Sequence, residues 1–455
     1  MTELLFSGAT VFTPEGPRRA SVRVSDGVIT DVGEDATPRG AKVVNAEGLY
    51  LLPGAVDVHV HSRDPGFPDK EDFGTLTAAA AAGGVTTVVD MPNTVPAVDS
   101  AGVLEAKAAL ARSRARVDFG LWGLLRSTST PEQLRGLAAA GATGFKAYLG
   151  YAFSVSRKQV LHSFEASDPD LEAPPDYGTL ARLGPELAAL GLPVAIHAED
   201  ASVLHTFRRP IETYADILAS RPGEAESVAI AASAAVARQF GFHLHVAHLS
   251  SALGLAAAGE AISVGTRMTV ETCPHYLWLS DADFDRLGTA MKINPPVKTA
   301  SDRAALRDGL RRGLISIVAT DHAPHTDEEK ARSLAEAPPG SPGVQALYLS
   351  SLQLAAEMGD VWMAPRWVSE APAQLAGLGQ SKGRIAAGYE ADLVLVDPGR
   401  GTVFQPRAMK SRQRHGVLDG FRSDFSIKAV YLRGMPVARA SGREVRPATP
   451  ARERS

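Results

Sequence analysis

Eight short apolar runs between Gly54 and Asp321 constrain the fold of this chain more than any other feature. Each run ends in polar, glycine or proline residues, and Ala- and Leu-rich stretches of helical character separate the runs. The runs are GAVDVHVH, VTTVVDMPN, VDFGLWGLL, TGFKAYLG, PVAIHAED, HLHVAHLS, RMTVETCP and LISIVATDH. Eight β/α units in succession predict an α/β fold, a (β/α)8 TIM barrel closed by right-handed crossovers. An open doubly wound sheet is the alternative, although no GxGxxG motif follows the first run.

The two ends of the chain have a different pattern from its middle. Short β-type runs alternate with Gly, Asp and Pro turns in residues 1–53, and the same pattern returns in residues 379–445. We therefore predict that both termini form one small β-sandwich domain beside a barrel that spans residues 54–378. Residues 446–455 are rich in Pro and Arg without apolar periodicity, so we expect a frayed tail.

The composition favours a small-molecule substrate. The 455 residues carry a formal net charge of -4, which gives no electrostatic reason to expect nucleic acid or an anionic membrane as partner. Cys273 is the single cysteine, so an intramolecular disulfide framework is excluded. The first residues lack a signal-peptide pattern, and no uncharged run reaches the ~20 residues that span a bilayer. We expect a cytoplasmic protein.

The first apolar run carries two histidines with the spacing of a metal site. His59 and His61 are two residues apart, so a regular strand turns both toward one face and turns Val56, Val58 and Val60 toward the other. Neutral imidazole nitrogens placed in this way can ligate zinc or a similar ion. A pair of hydrogen-bonded histidines without a metal is the alternative.

Three further polar residues end other apolar runs. His197 ends the fifth run, His248 lies near the end of the sixth, and Asp321 ends the eighth. Catalytic groups in barrels come from the C-terminal ends of several strands, so we predict that these residues converge with His59 and His61.

Other residues of these runs are ambiguous. Strand parity places His243 and His245 on the face opposite His248, so we expect hydrogen-bonded packing roles for both. Lys146 ends the fourth run, where a protonated ammonium would repel a metal ion. Reaction with CO2 would convert Lys146 to an anionic carbamate ligand, whereas a lysine that reaches solvent at the barrel rim is the alternative.

Several motifs occur in a known order, namely DVHVHSRDPG, KED with AAAAAGGVTTVVDMPNT, KINPPVK and ATDHAPHTDEEK. Through them nearly the whole chain resembles the cyclic amidohydrolases of the amidohydrolase superfamily, and most closely dihydroorotase. The segment KAYLGYAFS is similar to the corresponding lysine-bearing segment of some dihydroorotases. The resemblance implies reversible hydrolysis of dihydroorotate to N-carbamoyl-L-aspartate in pyrimidine biosynthesis, by water that two divalent ions, most often Zn²⁺, activate. The implied metal ligands are His59, His61, carboxylated Lys146, His197, His248 and Asp321.

Asp321 is also the implied catalytic residue, which accepts a proton and delivers it to the departing nitrogen. Dihydroorotate carries a ring carboxylate, and the resemblance assigns its binding to Arg63, Asn93 and His325. Asn294 in KINPPVK either hydrogen-bonds the substrate or starts the Pro-Pro turn. We also consider Gly343, which either brings backbone amides near the ring or serves only the loop conformation.

Some positions depart from the dihydroorotase pattern. ETCPHYL looks more like allantoinases and hydantoinases, and Ser62 and Gln345 stand where dihydroorotases often have leucine and glutamate. Allantoinase or hydantoinase/dihydropyrimidinase-type ring opening is therefore the alternative activity. A noncatalytic scaffold of the same fold is a further alternative.

Three further features of the sequence carry predictions. Cys273 and His275 lie near the end of the seventh run, and we expect them to support the site or the fold rather than bind metal. Residues 155–176 are long for a βα loop and predict a lid or a family-specific insertion. Relatives are often dimers or tetramers, so the resemblance implies a homo-oligomer.

Overall fold

The computed structural model describes residues 3–34, 40–165 and 167–447. None of the helices in these ranges is long and apolar enough to cross a membrane. The strands are β1 (Glu3–Thr13), β2 (Gly16–Ser25), β3 (Val28–Gly33), β4 (Lys42–Asn45), β5 (Tyr50–Pro53), β6 (Ala55–Val60), β7 (Val85–Asp90), β8 (Asp118–Leu121), β9 (Gly123–Leu124), β10 (Phe145–Tyr148), β11 (Ala152–Ser154), β12 (Gln159–Leu161), β13 (Leu171–Glu172), β14 (Val194–His197), β15 (Leu244–Val246), β16 (Met268–Thr272), β17 (Ile317–Val318), β18 (Leu393–Asp397), β19 (Thr402–Val403), β20 (Arg422–Ser423), β21 (Ser426–Leu432) and β22 (Met435–Pro436).

The helices surround the barrel strands and follow them in the chain. They are α1 (Phe73–Ala82), α2 (Ala101–Arg112), α3 (Pro131–Ala140), α4 (Tyr177–Leu190), α5 (Ala201–Thr206), α6 (Tyr214–Ser220), α7 (Gly223–Phe240), α8 (Ala252–Ser263), α9 (Pro274–Trp278), α10 (Phe284–Leu287), α11 (Ala300–Arg311), α12 (Asp327–Lys330), α13 (Leu347–Glu357), α14 (Met363–Pro365) and α15 (Ala371–Leu375). Single-turn 3₁₀ segments span Asp281–Asp283, Gly288–Met291, Val344–Ala346, Pro406–Ala408 and Val437–Arg439, and Arg366–Glu370 is π-helical.

All eight apolar runs form parallel barrel strands. Strands β6, β7 and β8 pair in that order, and β9, β10, β14, β15, β16 and β17 pair in a second series. Trp122 separates β8 from β9 within one apolar run. The ring closes between the eighth strand and the first, where the His61 N–H donates to the His322 carbonyl at 2.8 Å. With the small β-sandwich, this barrel confirms the predicted fold class.

Local sequence signals explain where the helices begin and end. Helix α3 starts with Pro131 after Thr130, whose side chain accepts from the Gln133 N–H while the Gln133 side chain caps the Thr130 backbone. This reciprocal pair satisfies donors that the first helical turn leaves free. Gly141 ends the helix with φ 102°, a left-handed conformation in which glycine lacks the strain of a side chain.

One sheet of the small domain takes strands from both ends of the chain. Its order is β22-β21-β18-β5-β1-β2-β3, with β4 paired to β1. Phe6, Val11, Val22, Leu51 and Leu393 belong to its separate buried core. The domain limits at residues 53, 378 and 445 remain predictions, and the predicted tail falls mostly outside the described residues.

The C-terminal segment also reaches the barrel. The Phe119 N–H in β8 donates to the Arg443 carbonyl at 3.0 Å, and the Val445 N–H donates to the Phe119 carbonyl at 2.8 Å. Val445 is buried in the same cluster as the barrel residue Trp122. Residues 443–445 therefore lie beside the third barrel strand as well as following the small sheet.

A buried charge cluster links the barrel to the small domain. The Lys382 ammonium lies 2.9 Å from Asp118 in β8 and 3.0 Å from Glu390, and it also contacts Asp392. Lys382 is 2% exposed, so its charge depends on these carboxylates rather than on water. The cluster fixes the start of the third barrel strand against the small sheet.

The predicted valine face of the first barrel strand is wrong. Val56 and Val58 belong to the same buried cluster as Trp122 and Ile317, whose strands lie elsewhere around the ring. Side chains from separated strands meet only inside a barrel, so these two valines point inward. Val60 instead packs in the outer cluster that includes residues of α1 and α2. The β6–β7 register shifts twice, and such irregularities break the alternation that the prediction assumed.

Residues 155–176 include two strands of a small antiparallel sheet. Strand β11 pairs with β12 and with β13. Gln159, Val160 and His162 from this segment line the cavity at the C-terminal end of the barrel. The segment is thus part of the site wall, while its action as a lid remains a prediction.

Candidate active site

The first group of candidate metal ligands lies at the C-terminal ends of the first and eighth strands. His61 Nε2 is 3.0 Å and His59 Nε2 is 3.3 Å from the same Oδ1 of Asp321. Ligand atoms of these three residues all lie within 4.8 Å of one another. That spacing is compatible with one cation bound between them.

Hydrogen bonds behind these imidazoles determine which nitrogen faces Asp321. His59 Nδ1 lies 2.8 Å from Glu271 Oε1, and His61 Nδ1 lies 2.7 Å from Asn93 Oδ1. Burial raises the pKa of Glu271, but His59 and His245 outweigh it and hold that pKa well below its usual range. Because these oxygens accept, each Nδ1 donates, and each Nε2 keeps its lone pair for a cation.

His197 and His248 form a second group beside the first. His197 Nδ1 is 2.9 Å from His248 Nε2, and the His248 ring centre lies 5.2 Å from that of His59. His197 Nε2 is 2.7 Å from Glu199. Burial raises the pKa of Glu199, but Arg221 and His197 lower it to about 2, so the carboxylate accepts from Nε2. His197 Nδ1 and His248 Nε2 therefore point at one small region.

Lys146 lies beneath these imidazoles on the fourth strand. It is fully buried, and among the described residues its Nζ has no hydrogen-bond partner. Burial lowers the pKa of Lys146 to about 8 despite the nearby carboxylates of Glu271 and Asp321. A buried amine without acceptors is costly as an ammonium, and its neutral form is the one that reacts with CO2.

The charge states of this donor set suit a metal cation. Burial lowers the pKa of His61 to about 4 and that of His248 well below its usual value, so both rings are neutral at pH 7. Burial raises the pKa of Asp321, but His59 and His61 outweigh it and hold that pKa at about 2. Neutral imidazoles with an ionised carboxylate are the forms that bind Zn²⁺.

Three of these site residues have left-handed backbone conformations. Arg63 has φ 59°, His248 has φ 39° and Asp321 has φ 49°. Residues other than glycine rarely adopt a positive φ without an energetic cost, and such backbone strain concentrates at functional sites. The three conformations therefore support a functional role for this end of the barrel.

A cavity of about 200 Å³ opens above the two groups. Its lining brings together nine predicted residues, His59, His61, Arg63, Asn93, His197, His248, Asn294, Asp321 and His325. Lys146 does not line the cavity. The convergence gives candidate metal ligands and candidate substrate-binding residues one shared space.

The residues predicted to bind substrate have defined partners here. Arg63 Nη2 is 3.1 Å from His325 Nε2, and Arg63 Nε donates to the Pro324 carbonyl at 3.2 Å. Asn93 supports His61, as described above. With its amide oriented to satisfy both neighbours, Asn294 accepts from Arg221 Nη2 at 3.2 Å.

Gly343 does not line this cavity, and its role in substrate binding remains a prediction. Its N–H donates at 3.1 Å to Nδ1 of the buried His322, which turns this backbone away from the substrate space. Gly340 lines the cavity instead. Because a loop can turn within three residues, sequence position alone did not separate the two glycines.

The parity prediction for the sixth strand is also corrected. His245 points into the barrel, where its ring stacks on Trp122 and its Nε2 lies 3.2 Å from Glu271. The strand ends at Val246, so its alternation does not extend to His248. His243 and His245 both hydrogen-bond Thr269, in keeping with packing roles.

Several contributing residues were not predicted. Glu271 and Glu199 orient metal-ligand candidates, and each follows the apolar part of its strand, a signal that was available in VETCP and HAED. Tyr148, Tyr151 and Lys70 line the cavity as well. Cys273 and His275 are buried and do not line this cavity.

Comparisons with known proteins agree with this geometry. A model of the family described as "Amidohydrolase family" matches residues 50–437. An allantoinase from Streptomyces avermitilis is 38% identical over 440 residues, covering 95% of this chain and 94% of the relative. A dihydroorotase from Halobacterium salinarum is 38% identical over 366 residues, covering 79% of this chain and 80% of the relative.

A solved structure extends the likeness to the whole fold. The L-hydantoinase (dihydropyrimidinase) from Arthrobacter aurescens superposes with a TM-score of 0.89 at 26% identity, covering 98% of this chain and 100% of that chain. The predicted superfamily is confirmed, whereas dihydroorotase specifically is not established. The barrel, its histidine pairs and these relatives show that the chain belongs to the amidohydrolase family, as a hydrolase that acts on cyclic amides.

Proposed function

We propose that this protein opens the ring of a cyclic ureide in the cavity above the two histidine pairs. The main support is that both pairs and Asp321 line one cavity, while the buried Lys146 amine nearby has no hydrogen-bond partner among the described residues. In the proposed centre, the six predicted ligands would hold two divalent ions such as Zn²⁺, with Lys146 carboxylated by CO2. Ions bound there would polarise the ring carbonyl and activate water.

Asp321 has the position and charge of the proton carrier. Its carboxylate is ionised at pH 7, faces the cavity and contacts both His59 and His61. A carboxylate there can take a proton from the attacking water and deliver it to the departing ring nitrogen. His59 and His61 keep the carboxylate in place for both transfers.

Allantoin is the first substrate to test. The allantoinase relatives from Streptomyces avermitilis and Bacillus velezensis cover 95% and 97% of this chain, whereas the Halobacterium salinarum dihydroorotase covers 79%. The ETCPHYL motif also favours this assignment. Dihydroorotate, the substrate that the sequence motifs favour, is therefore the second substrate to test.

Dihydroorotate remains a candidate because of the cations at one side of the cavity. Arg63 and Lys70 both line it, and both contact His325. Among the described residues, Arg63 forms no ion pair with a carboxylate, so its guanidinium suits a substrate carboxylate. Neutral ureides gain less from this arrangement.

A substrate panel tests the proposal. Metal-loaded protein is incubated separately with allantoin, dihydroorotate, N-carbamoyl-L-aspartate, dihydrouracil and hydantoin, and ring opening or closure is followed. We expect turnover of at least one ureide, lost on chelation and restored by Zn²⁺. Turnover of none by fully metal-loaded protein would contradict the proposal and favour a noncatalytic scaffold. A cytoplasmic location and a homo-oligomer remain predictions from the sequence.

A further inference from the structure

A second cavity of about 300 Å³ adjoins the first. The two share His162, Asn294 and Pro339, so they are neighbouring parts of one depression in the barrel mouth. The outer cavity lies between the 162–165 segment, helices α5 and α6, and the loop near Pro339. It is farther from the histidine pairs, none of which lines it.

The outer cavity carries an excess of positive charge. Three arginines, one lysine and one carboxylate line it, namely Arg208, Arg209, Arg221, Lys292 and Glu165. Arg208 pairs with Glu165, and Arg221 pairs with Glu199. The whole chain has a net charge of -4, so this excess is local. Clefts lined by one sign of charge attract ligands of the opposite sign.

Two of these cations lack a carboxylate partner. Arg209 Nε donates to the Phe207 carbonyl at 3.4 Å, and Lys292 Nζ donates to the carbonyls of Leu334 and Ala335 at 2.6 and 2.9 Å. Among the described residues neither forms an ion pair. Hydrogen bonds from Thr213 and, to a smaller extent, the charge of Arg209 lower the pKa of Asp216, so that carboxylate attracts Arg209 without forming an ion pair with it. Backbone carbonyls orient Lys292 and Arg209 without neutralising them, so both can attract an anion.

Part of the remaining lining is apolar and can contact a short carbon chain. Leu204, Ile211 and Ile217 contribute side chains to the outer cavity. The inner cavity, at about 200 Å³, lies below the ~300–1,000 Å³ of typical ligand pockets and suits a single ring. The outer cavity therefore offers space and chemistry that an unsubstituted ring does not use.

We propose that the outer cavity is a subsite for an acidic arm on the substrate ring. This inference rests on the proposed function and adds one substrate class to the candidates above, a cyclic ureide whose exocyclic carbon chain ends in a carboxylate. The ring lies over the histidine pairs, the chain passes His162 and Asn294, and the carboxylate reaches Lys292 and Arg209. The arm takes no part in the bond changes. The oxygen of water joins the ring carbonyl carbon, the ring C–N bond breaks, and a proton goes to the nitrogen.

Two matched substrates test the subsite. 5-(2-Carboxyethyl)hydantoin and 5-(2-carbamoylethyl)hydantoin have the same shape, but only the first is charged. We expect kcat/KM to favour the acid by about tenfold or more, mainly through KM, because hydrogen bonds to charged groups are the stronger ones. Equal values for the two compounds, with hydantoin still hydrolysed, would overturn the subsite while leaving the proposed function intact.

Variants connect the preference to the named cations. Arg209→Gln and Lys292→Met should each remove most of the preference for the acid and leave hydantoin turnover unchanged. Lys292 also anchors the loop at Leu334, so its replacement can disturb folding. Arg209 is exposed to solvent, so Arg209→Gln is the variant that better preserves the fold. Arg238→Gln, an exposed position on α7, is the matched control and should keep the preference. Retention of the preference in both test variants would contradict the assignment.

A binding measurement keeps the subsite testable without turnover. N-carbamoylglutamate and N-carbamoylglutamine are the ring-opened forms of the two substrates and differ only in the charge of the arm. Calorimetric titration of the metal-loaded protein should give a Kd about tenfold lower for the acid, and Arg209→Gln should remove the difference. Equal affinities would overturn the subsite whether or not any ureide is hydrolysed.

Discussion

At the residue scale, partners outside the ligand set determine which imidazole nitrogen faces a metal. Glu271, Asn93 and Glu199 each accept from one nitrogen of a candidate ligand histidine and leave the other for a cation. The positions of His59 and Asp321 were predictable because both lie at strand ends. The strand-end position of Glu271 was visible in VETCP, but its contact with His59 was not predicted, since the two residues are 212 positions apart in the chain.

Asn93 provides a direct test of this support. Asn93→Leu removes the acceptor for His61 Nδ1, so metal affinity should fall about 10–100-fold, as for other groups that orient ligands. A competing chelator gives the affinity of each variant. Asn93→Asp keeps an oxygen acceptor and should retain most of the affinity. Unchanged affinity in Asn93→Leu would show that the hydrogen bond does not orient His61.

Lys146 is tested by its chemistry with CO2. Burial lowers the pKa of Lys146 to about 8, so its neutral, reactive fraction grows as the pH rises through that value. Protein loaded with Zn²⁺ and ¹³C-bicarbonate should show a carbamate carbon signal by NMR. Lys146→Ala should lack the signal, and the exposed control Lys428→Met should keep it. A signal in Lys146→Ala would assign the carbamate to another amine.

At the element scale, the eight barrel strands and the strands shared by both termini followed from periodic patterns. Periodic patterns did not predict three other features. These are the register shifts in β6, the pairing of residues 443–445 with β8 and the small sheet around β11. Pairing between segments over 300 residues apart has no local sequence signature. The two register shifts between β6 and β7 accompany the inward orientation of Val56 and Val58, against the prediction.

The buried Lys382 cluster should contribute strongly to stability. Lys382→Met leaves Asp392 buried without its ion-pair partner, while Asp118 keeps Arg433, and this should lower the free energy of unfolding by about 3–5 kcal/mol. Denaturant titration measures this loss. Lys428→Met, exposed in β21, is the control and should change stability by less than about 0.5 kcal/mol. A loss that small for Lys382→Met would contradict a structural role for the cluster.

The same cluster predicts a change in pH dependence. Burial raises the pKa of Asp118, but Lys382 and Arg433 outweigh it and lower that pKa below its usual value. The stability from Asp118 is therefore present above its unfolded pKa and is lost as the pH falls through the lowered one. Without Lys382 this contribution shrinks, so denaturant midpoints of Lys382→Met should fall less steeply with acid than those of the wild type. Parallel curves would contradict this assignment.

At the scale of the whole molecule, charge is distributed unevenly. The chain has a net charge of -4, yet cations predominate around the two joined cavities. The candidate metal ligands were predictable because they lie at or near the ends of barrel strands. The substrate was not, since the outer walls of the two cavities are formed by loops such as those carrying His162, Lys292 and Gly340.

Salt dependence tests this distribution. For an anionic ureide, kcat/KM should fall as NaCl rises from about 20 to 300 mM, because salt screens attraction beyond a few ångströms. Hydantoin, the uncharged comparison, should show little change over the same range. Equal salt dependence for the two substrates would show that the cations around the cavities do not attract anionic substrates.

The central claim is that six side chains hold two metal ions that the ring-opening reaction requires. Elemental analysis of metal-depleted protein titrated with Zn²⁺, with ureide hydrolysis measured in each sample, tests it most directly. We predict that activity rises until about two equivalents are bound per chain, and that His248→Ala binds about one and is inactive. Full activity in protein with far less than one equivalent, or two equivalents retained in His248→Ala, would contradict the account.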